Sequence, residues 1–358
     1  MGDHLLCIDC LSFIKNIYQF EKIYIICREK SKSKQIIQLA SEHDVRFQSY
    51  IQFLNLILRK KLWQNKLFFI DTEPNFRVGL LFKSIFKNSS LVSNKRLPLD
   101  LLSQRFLEGY TYNKYEPNMQ EGIYIYKAIF QSIQNDSSII DTRNSTNVFL
   151  QEFKNKKLIQ PKKHFNSGAY DYHQYILNKY KSEKDFIYLY YGCSGKALHR
   201  LPPFSWFIDF ISILEKEFQV ILVGGTLESE YIKNIPSNIK VITELIGKFS
   251  LSEWSSILSY PEKIIPLISF DGGFSHIYGI HQNLIYQIFC SSNSKKWRNK
   301  SDISGVFSCL KGGSPIYKPY EFRVPENCDL SNNAWLNTNY KKVFEDFFSW
   351  YKHIKIKD

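Results

Sequence analysis

The feature that most constrains this chain is a repeated alternation of short, continuously apolar segments with segments of helical periodicity. Strands that are apolar along their whole length are typical of parallel sheets covered by helices on both faces. The pattern predicts strands at 22–27, 45–49, 67–71 and 90–92 in the first half, and at 186–191, 219–223, 240–243, 263–268 and 284–289 in the second. Two such series indicate an α/β protein with two facing Rossmann-like domains and a cleft between them.

The domain boundary is predicted between the two series of strands. The chain has 358 residues, enough for two domains that each have a core. A Lys-rich and Tyr-rich segment of weak periodicity, 151–185, is the predicted hinge, and a helix at 173–181 leads into the second series. We assign 1–165 to an amino-terminal domain and 166–338 to a carboxyl-terminal domain. The segment 339–358 is predicted to contain an amphipathic helix, with Val343, Phe347, Trp350 and Tyr351 on one stripe.

The composition indicates a globular protein of a reducing compartment. Hydrophobic residues make up 44% of the chain and aromatic residues 16%. No apolar run approaches the ~20 residues of a membrane span, and the first residues lack the charged and apolar regions of a secretory signal. Seven cysteines, an odd number, favour reduced thiols over a disulfide framework. We therefore expect a cytoplasmic protein.

The charge of the chain favours an anionic partner. Lysine and arginine number 47 against 34 acidic residues, which gives a formal net charge of +13. Such an excess fits a nucleic acid, a phosphorylated glycan or an acidic membrane face, although a solubilising surface is the simpler explanation. The lysines are spread along the sequence instead of being gathered on one helix. This distribution argues against nucleic-acid binding.

A glycine turn in the second half predicts a ligand site. Residues 269–276 read SFDGGFSH and lie between an apolar run and a predicted helix at 275–281. In an open α/β sheet such a turn lies at the carboxyl end of a strand, where the first helical amides can bind an anion. The glycines would let a phosphate approach the backbone, with Asp271 and His276 on either side. A glycine turn after a strand is also ordinary loop chemistry.

Four further segments accompany this turn in a fixed order. They are GCSGKALHRLPP at 192–203, ILVGGTLE at 221–228, IGKFSLSE at 246–253 and SKKWR at 294–298. The ordered set resembles the ADP-heptose:lipopolysaccharide heptosyltransferase family, whose members are inverting glycosyltransferases of the GT-B fold. The resemblance covers roughly residues 186 to 300. It implies that the carboxyl-terminal domain binds a nucleotide sugar and the amino-terminal domain the acceptor, and that the final helix packs back on the amino-terminal domain.

The amino terminus resembles the same family in part. Gly2 and Asp3 match a Gly-Asp motif that the family places directly after its first strand, and here no strand precedes it. Either the true start lies upstream of Met1, or the first strand is missing. The segment 67–71, which ends in Asp71, resembles the next family motif. The rest of this half matches weakly.

The resemblance implies the catalytic residues. Asp3 would be the base that deprotonates the acceptor hydroxyl, although it could equally be a helix N-cap. The departing diphosphate would be stabilised by cations of the 195–200 loop, where His199 stands at the family's usual lysine position. Lys196 and Arg200 are long enough to substitute for it. Contact with a diphosphate should raise the pKa of a histidine.

The resemblance also implies the donor site. Glu228 would accept hydrogen bonds from ribose hydroxyls, and Gly247, Lys248 and Phe249 would line the base. Phosphate contacts would come from the loops at 194–195 and 272–276, through Ser194, Gly195, Gly272, Gly273 and His276, while Asp271 would accept hydrogen bonds from sugar hydroxyls. Gly272 replaces the family's usual threonine, so one hydroxyl is lost. His276 could instead be an ordinary surface residue of a first helical turn.

These residues lead to a functional hypothesis with two alternatives. No Asp-x-Asp motif or dense carboxylate cluster occurs, which fits a metal-independent enzyme without a cofactor. The leading hypothesis is a cytoplasmic enzyme, peripheral to the inner membrane, that adds heptose from ADP-heptose to the lipopolysaccharide inner core, an anionic glycolipid. One alternative is a relative that uses another nucleotide sugar or surface glycan. The other is a catalytically idle paralogue that binds nucleotide or glycan.

Overall fold

The structure of the chain is a computed structural model. It describes residues 167–193, 200–226, 228–259, 264–281, 284–290, 294, 298–299, 303–309, 335 and 337–355, together with five strands and the single residues Leu11 and Asn55 before residue 167. The chain divides into two compact units, one containing Asp44–Lys156 and the other containing Lys157–Asp358. The predicted boundary at 165/166 stays a prediction.

The first unit contributes five short parallel strands. Strand β1 (Ile23–Ile26) pairs with β2 (Val45–Gln48) in one sheet. A second sheet has the order β3 (Phe68–Asp71), β4 (Ser90–Ser93) and β5 (Tyr110–Tyr112). The four strands predicted in this half are confirmed. Strand β5 was missed because a three-residue Tyr-Thr-Tyr segment does not form an apolar run.

The second unit alternates helices with parallel strands. Its elements are α1 (Ser167–Lys179), β6 (Asp185–Tyr190), α2 (Phe204–Glu217), β7 (Phe218–Val223), α3 (Ser229–Ile232), α4 (Leu251–Ser259), β8 (Leu267–Phe270), α5 (Gly273–His281), β9 (Ile285–Phe289), β10 (Gly305–Ser308) and α6 (Tyr340–Lys355). The five strands form one sheet in the order β10-β9-β8-β6-β7. All neighbouring pairs are parallel, as the continuous apolar segments predict.

The sheet is buried on both faces. Alternate residues of β6 point to opposite sides, so Ile187 and Leu189 join one apolar cluster while Tyr188 and Tyr190 join the other. Helices α2 and α6 cover the first face, and α1, α4 and α5 cover the second. Each fully buried large apolar side chain contributes about 1.5–3 kcal/mol to folding. The packing therefore fixes the carboxyl ends of the strands, where ligands bind in this class of fold.

Helix α6 places its apolar stripe on this same unit. Its buried residues are Val343, Phe347 and Tyr351. The Phe347 ring lies 5.6 Å from that of Phe218, and the Tyr351 hydroxyl donates to Asp185 at 2.8 Å. The predicted helix is thus confirmed. Its apolar stripe packs within the second unit. The packing of this helix on the amino-terminal domain stays a prediction.

Two segments of the second unit differ from the expected strands. The segment expected at 240–243 forms an isolated bridge between Ile242 and Ile221 instead of a strand. Strand β10 was missed because its sequence, GVFS, is too short and mixed to form an apolar run. Within the described ranges, no helix is both long and apolar enough to cross a membrane.

Candidate functional site

The sheet order defines where a ligand would bind. Strand β6 lies between β7 and β8, so the chain leaves β6 toward one side and later returns on the other. Such a reversal is a topological switch point, and open α/β sheets bind ligands just beyond it, at the carboxyl ends of the strands. The segments that leave β6, β7 and β8 at this edge contain Cys193, Glu228 and Asp271 respectively. We call this edge the candidate site.

Glu228 is held in the candidate site by hydrogen bonds from its own domain. The backbone N–H of Gly225 donates to Oε2 at 2.8 Å. The Tyr190 hydroxyl donates to Oε1 at 3.3 Å. The residue is only 8% exposed. Two donors from different strand ends therefore fix the direction of this carboxylate, which keeps lone pairs for further donors.

Two glycines are packed against protein atoms in the same place. A Cβ atom at Gly192 would lie 2.5 Å from Glu228 Oε1. At Gly272 it would lie 2.2 Å from the Gly192 carbonyl oxygen and 2.5 Å from Cε1 of Tyr190. The sequence predicted that the glycines leave room for a phosphate. At Gly272 that room is filled by Tyr190 and the Gly192 backbone, so this part of the prediction is wrong.

Arg200 and Asp271 form an ion pair across the switch point. Arg200 Nη1 lies 3.3 Å from Asp271 Oδ2. The Asp271 side chain is 5% exposed, whereas that of Arg200 is 37% exposed. The buried Arg200 Nε has no hydrogen-bond partner in the structure. The carboxylate thus holds a cation at the carboxyl edge, where it offsets part of the charge available to an anionic ligand.

Cys193 lies among the charged groups of the candidate site. Burial raises the pKa of its thiol to about 11; Arg200 opposes the shift, while Asp271 and Glu228 add to it. The thiol is therefore protonated at neutral pH. The segments after β6, β7 and β8 converge here, because a Cβ atom at Gly192 would lie 2.5 Å from Glu228 Oε1 and one at Gly272 would lie 2.2 Å from the Gly192 carbonyl oxygen.

The first turn of α5 is anchored to the sheet. Ser275 donates through Oγ to the Gly272 carbonyl at 2.7 Å. The Phe274 ring lies 5.4 Å from the Tyr190 ring and 5.1 Å from the Trp254 ring. His276 is 8% exposed, so it is a buried residue of this turn and not a surface residue. The predicted helix is confirmed, and it begins at Gly273, two residues earlier than expected.

The turn at 247–249 packs against the segment 224–229, which contains Glu228. Gly247 has a φ of 68°, a left-handed conformation that favours glycine, and its N–H donates to the Gly224 carbonyl at 2.9 Å. Lys248 is exposed, with Nζ 4.8 Å from the ring centroid of Tyr172. Phe249 is 9% exposed and packs on Trp254. Their predicted contact with the base stays a prediction.

A capping box follows this turn and starts α4. Ser250 donates through its N–H and its Oγ to Glu253 Oε2, both at 2.8 Å. The Glu253 N–H donates back to Ser250 Oγ at 3.3 Å. This reciprocal arrangement satisfies amide groups that the helix leaves free at its amino terminus. It fixes the direction in which the chain leaves the candidate site.

The structure brings part of the predicted site together. Arg200, Glu228 and Asp271 converge at one edge. Asp3, Ser194, Gly195, Lys196 and His199 lie outside the described residues. Among the residues that the structure describes, no group of three or more His, Cys, Asp and Glu could hold a metal ion.

Sequence reasoning missed Tyr190 and did not assign a role to Cys193. The available signal was the position of Tyr190 at the end of a buried strand, two residues before a glycine. A buried tyrosine needs a partner for its hydroxyl. At the carboxyl end of a strand that partner can be a residue of the site.

Comparisons with known proteins support a fold assignment. No family model matches the sequence, and no curated relative matches it either. The structure is similar to that of Escherichia coli ADP-heptose lps heptosyltransferase II, with 11% identity, a TM-score of 0.59 and coverage of 99% of this chain and 96% of that one. It is also similar to that of a glycosyl transferase family 9 protein from Veillonella parvula DSM 2008, with 14% identity, a TM-score of 0.63 and coverage of 98% of this chain and 94% of that one.

A third similar structure was solved with a nucleotide. It is E. coli heptosyltransferase WaaC with ADP, at 11% identity, a TM-score of 0.54 and coverage of 98% of this chain and 96% of that one. In all three cases the likeness extends over nearly the whole of both chains. The chain therefore has the α/β, GT-B-type fold of these heptosyltransferase and glycosyltransferase structures.

Proposed function

We propose that this chain is an inverting, metal-independent glycosyltransferase that moves heptose from ADP-heptose to the lipopolysaccharide inner core, with Kdo-lipid A or a heptose as acceptor. The observation that carries the proposal is the convergence of Arg200, Glu228 and Asp271 at the switch point of the five-stranded sheet. The fold shared with heptosyltransferase structures supports it. A cation and two carboxylates at this edge match the phosphate and hydroxyl groups of a nucleotide sugar.

The proposed reaction is a single displacement at the anomeric carbon. The acceptor oxygen forms a bond to that carbon while the bond from the carbon to the diphosphate oxygen breaks, and ADP leaves with the electron pair. Asp3 takes the acceptor proton. Arg200, Lys196 and His199 stabilise the charge that develops on the diphosphate. Because Asp271 offsets part of the Arg200 charge, Lys196 and His199, which precede Arg200 in the sequence, complete the proposed cationic set.

The donor would be bound by the loops of the candidate site. Glu228 accepts hydrogen bonds from ribose hydroxyls, and the turn with Lys248 and Phe249 lies against the base. The phosphate contacts come from Ser194, Gly195 and His276 and from the backbone amides of Gly272 and Gly273. Asp271 accepts hydrogen bonds from sugar hydroxyls. In this assignment the nucleotide is held by the second domain alone. Binding can therefore be measured without the acceptor.

The proposed acceptor and cellular location rest on the net charge of the chain. An anionic glycolipid with Kdo carboxylates and phosphates fits a chain of net charge +13. Such an acceptor lies at the cytoplasmic face of the inner membrane. The protein is accordingly proposed to be cytoplasmic and peripheral to that membrane.

A different donor sugar is the second candidate function. It is favoured by Gly272, which stands where the family usually has a threonine. In this chain Tyr190 and the Gly192 backbone fill the space that such a side chain would occupy. A chain with this change could use another nucleotide sugar or another surface glycan. A catalytically idle paralogue would bind the nucleotide and transfer nothing.

Calorimetry with ADP in excess EDTA tests the proposed site. We expect binding without divalent metal, and we expect Arg200→Gln to weaken it about tenfold or more, because charged hydrogen bonds contribute about 1.5–3 kcal/mol. Lys355→Gln is the matched control, since Lys355 pairs with Asp185 at the amino end of β6. Binding that needs Mg²⁺, or an equal loss in both variants, would contradict the assignment.

A transfer assay then separates the enzyme from the idle paralogue. Wild-type protein should transfer heptose from ADP-heptose, and Asp3→Asn should abolish transfer while leaving ADP affinity unchanged. Binding without any transfer from ADP-heptose or other nucleotide sugars would identify an idle paralogue. Full activity in Asp3→Asn would place the base elsewhere.

A further inference from the structure

Tyr190 connects two loops of the candidate site. Its hydroxyl donates to Glu228 Oε1 at 3.3 Å, in the loop that follows β7. Its ring packs against the ring of Phe274, in the first turn of α5, with centroids 5.4 Å apart. One side chain from β6 therefore joins the two segments that the proposed function assigns to the ribose and to the phosphates.

Glycines on both sides make room for the Tyr190 ring. A Cβ atom at Gly192 would lie 2.7 Å from Cε2 of Tyr190, and one at Gly272 would lie 2.5 Å from Cε1. Real Cβ atoms do not approach ring atoms this closely. The ring is also packed against Phe274, with centroids 5.4 Å apart. The hydroxyl is thus confined by contacts on both edges of the ring, and it has little freedom to turn away from Glu228.

The hydroxyl stays a hydrogen-bond donor at every physiological pH. Burial and the neighbouring Glu228 carboxylate raise the pKa of Tyr190 well above its ordinary value, while the Phe274 N–H lowers it. The tyrosine is 5% exposed. A protonated phenol beside a carboxylate donates its proton to it. This hydrogen bond and the one from the Gly225 N–H together give the Glu228 carboxylate one direction.

We propose that Tyr190 is a positioning residue for the ribose of a bound nucleoside diphosphate, acting through Glu228. The inference rests on the proposed function, because it assumes that Glu228 faces a nucleotide. Tyr190 itself does not touch the sugar. It holds one carboxylate oxygen so that the remaining lone pairs point at the ribose hydroxyls, and it ties this carboxylate to the first turn of α5.

The experiment compares ADP with 2′,3′-dideoxy-ADP, which lacks both ribose hydroxyls. For wild type we expect ADP to bind about 10–100-fold more tightly, the range for hydrogen bonds to a charged group. Tyr190→Phe keeps the ring and removes the hydroxyl. This variant should lower the ratio several-fold, through weaker ADP binding, while dideoxy-ADP affinity stays within about twofold of wild type. Tyr188→Phe, one pleat away on the same face of β6, is the matched control and should leave the ratio unchanged.

A double variant tests whether Tyr190 acts through Glu228. Glu228→Gln should lower the ratio further than Tyr190→Phe, and adding Tyr190→Phe to it should cause no additional loss, because the effects of coupled residues are not additive. Additive losses would overturn the inference. So would an unchanged ratio in Tyr190→Phe, or an equal loss of both ligands with a lowered melting temperature, which would mark a purely structural role.

The same binding measurements distinguish a failure of the proposed function from a failure of the inference about Tyr190. If wild type binds ADP and discriminates against the dideoxy form, but Tyr190→Phe does so equally well, the nucleotide site stands and the role of Tyr190 falls. If wild type binds both ligands equally, Glu228 does not face the ribose, and the inference is overturned. If wild type binds neither ligand, the proposed function fails and the inference fails with it.

Discussion

Tyr188 and Tyr190 occupy successive inward positions on the same face of β6, yet their hydroxyls form hydrogen bonds in different regions of the molecule. The Tyr188 hydroxyl shares a hydrogen bond with His173 Nε2, within a layer of aromatic rings that includes Trp254 and Tyr278. The Tyr190 hydroxyl reaches Glu228 at the carboxyl edge. Both side chains are buried, at 3% and 5% exposure.

The difference between them is their distance from the end of the strand. Tyr188 lies within the sheet, so its hydroxyl must be paired by a neutral group of the core. Tyr190 is the last residue of β6, and its hydroxyl reaches the loops. Substitutions at Tyr188 and its partners should therefore change stability, whereas substitutions at Tyr190 and its partners should change ligand binding.

The largest effect is expected from His173. Burial lowers the pKa of His173 from 6.5 to about 4, so the folded protein keeps the ring neutral while the unfolded chain binds a proton below pH 6.5. The stabilising contribution is present above pH 6.5 and is lost as pH falls to 4. It amounts to about 3 kcal/mol, since one pKa unit corresponds to about 1.4 kcal/mol.

Urea unfolding between pH 7 and pH 4 measures this contribution. His173→Gln should flatten the pH dependence of the free energy of unfolding by about 3 kcal/mol over that range. Ser237→Ala, at an exposed residue that does not titrate, is the control and should leave the slope unchanged. A changed ADP affinity in His173→Gln would break the comparison, because the Tyr188 region would then reach the site.

A smaller effect is expected from Tyr188→Phe. Removing the hydroxyl leaves a buried imidazole nitrogen without its partner, at a cost of about 2 kcal/mol. Thermal or urea unfolding should show this loss at pH 7, with ADP affinity unchanged. Tyr190→Phe is the reciprocal variant and should alter ligand discrimination more than stability. If the two variants behaved alike in both assays, position along the strand would not decide their roles.

The smallest effect is expected at the start of α4, which carries Trp254 against Tyr188. Ser250→Ala removes the Oγ atom of the capping box and should lower the free energy of unfolding by about 1 kcal/mol. Ser237→Ala, at an exposed serine, should be neutral. An ADP affinity that falls more than stability predicts would indicate that the 247–249 turn contacts the ligand directly.

The sequence predicted the strands better than the contacts between them. Continuous apolar segments identify buried parallel strands because both faces of such strands are covered. The same argument places Glu228 and Asp271 at one edge, since each follows a strand. It does not distinguish Tyr188 from Tyr190, because both are aromatic residues of one apolar run, and their roles depend on where the strand ends.

Two other features depend on tertiary structure. An amphipathic stripe predicts that α6 packs on something, but the sequence does not identify the surface, which is the sheet of the second unit. The ion pair between Arg200 and Asp271 joins residues of different loops, and only the sheet order brings these loops together. Local periodicity contains no information about either pairing.

The position of α6 has a consequence for synthesis of the protein. Its rings cover Phe218 and Tyr286, and its last turn pairs Tyr351 and Lys355 with Asp185, the first residue of β6. These contacts join residues that are far apart in the sequence, so they form late in folding. A nascent chain that has not yet emerged from the ribosome as far as residue 355 exposes part of an aromatic core. We expect such nascent chains to need protection from aggregation until translation has passed this helix.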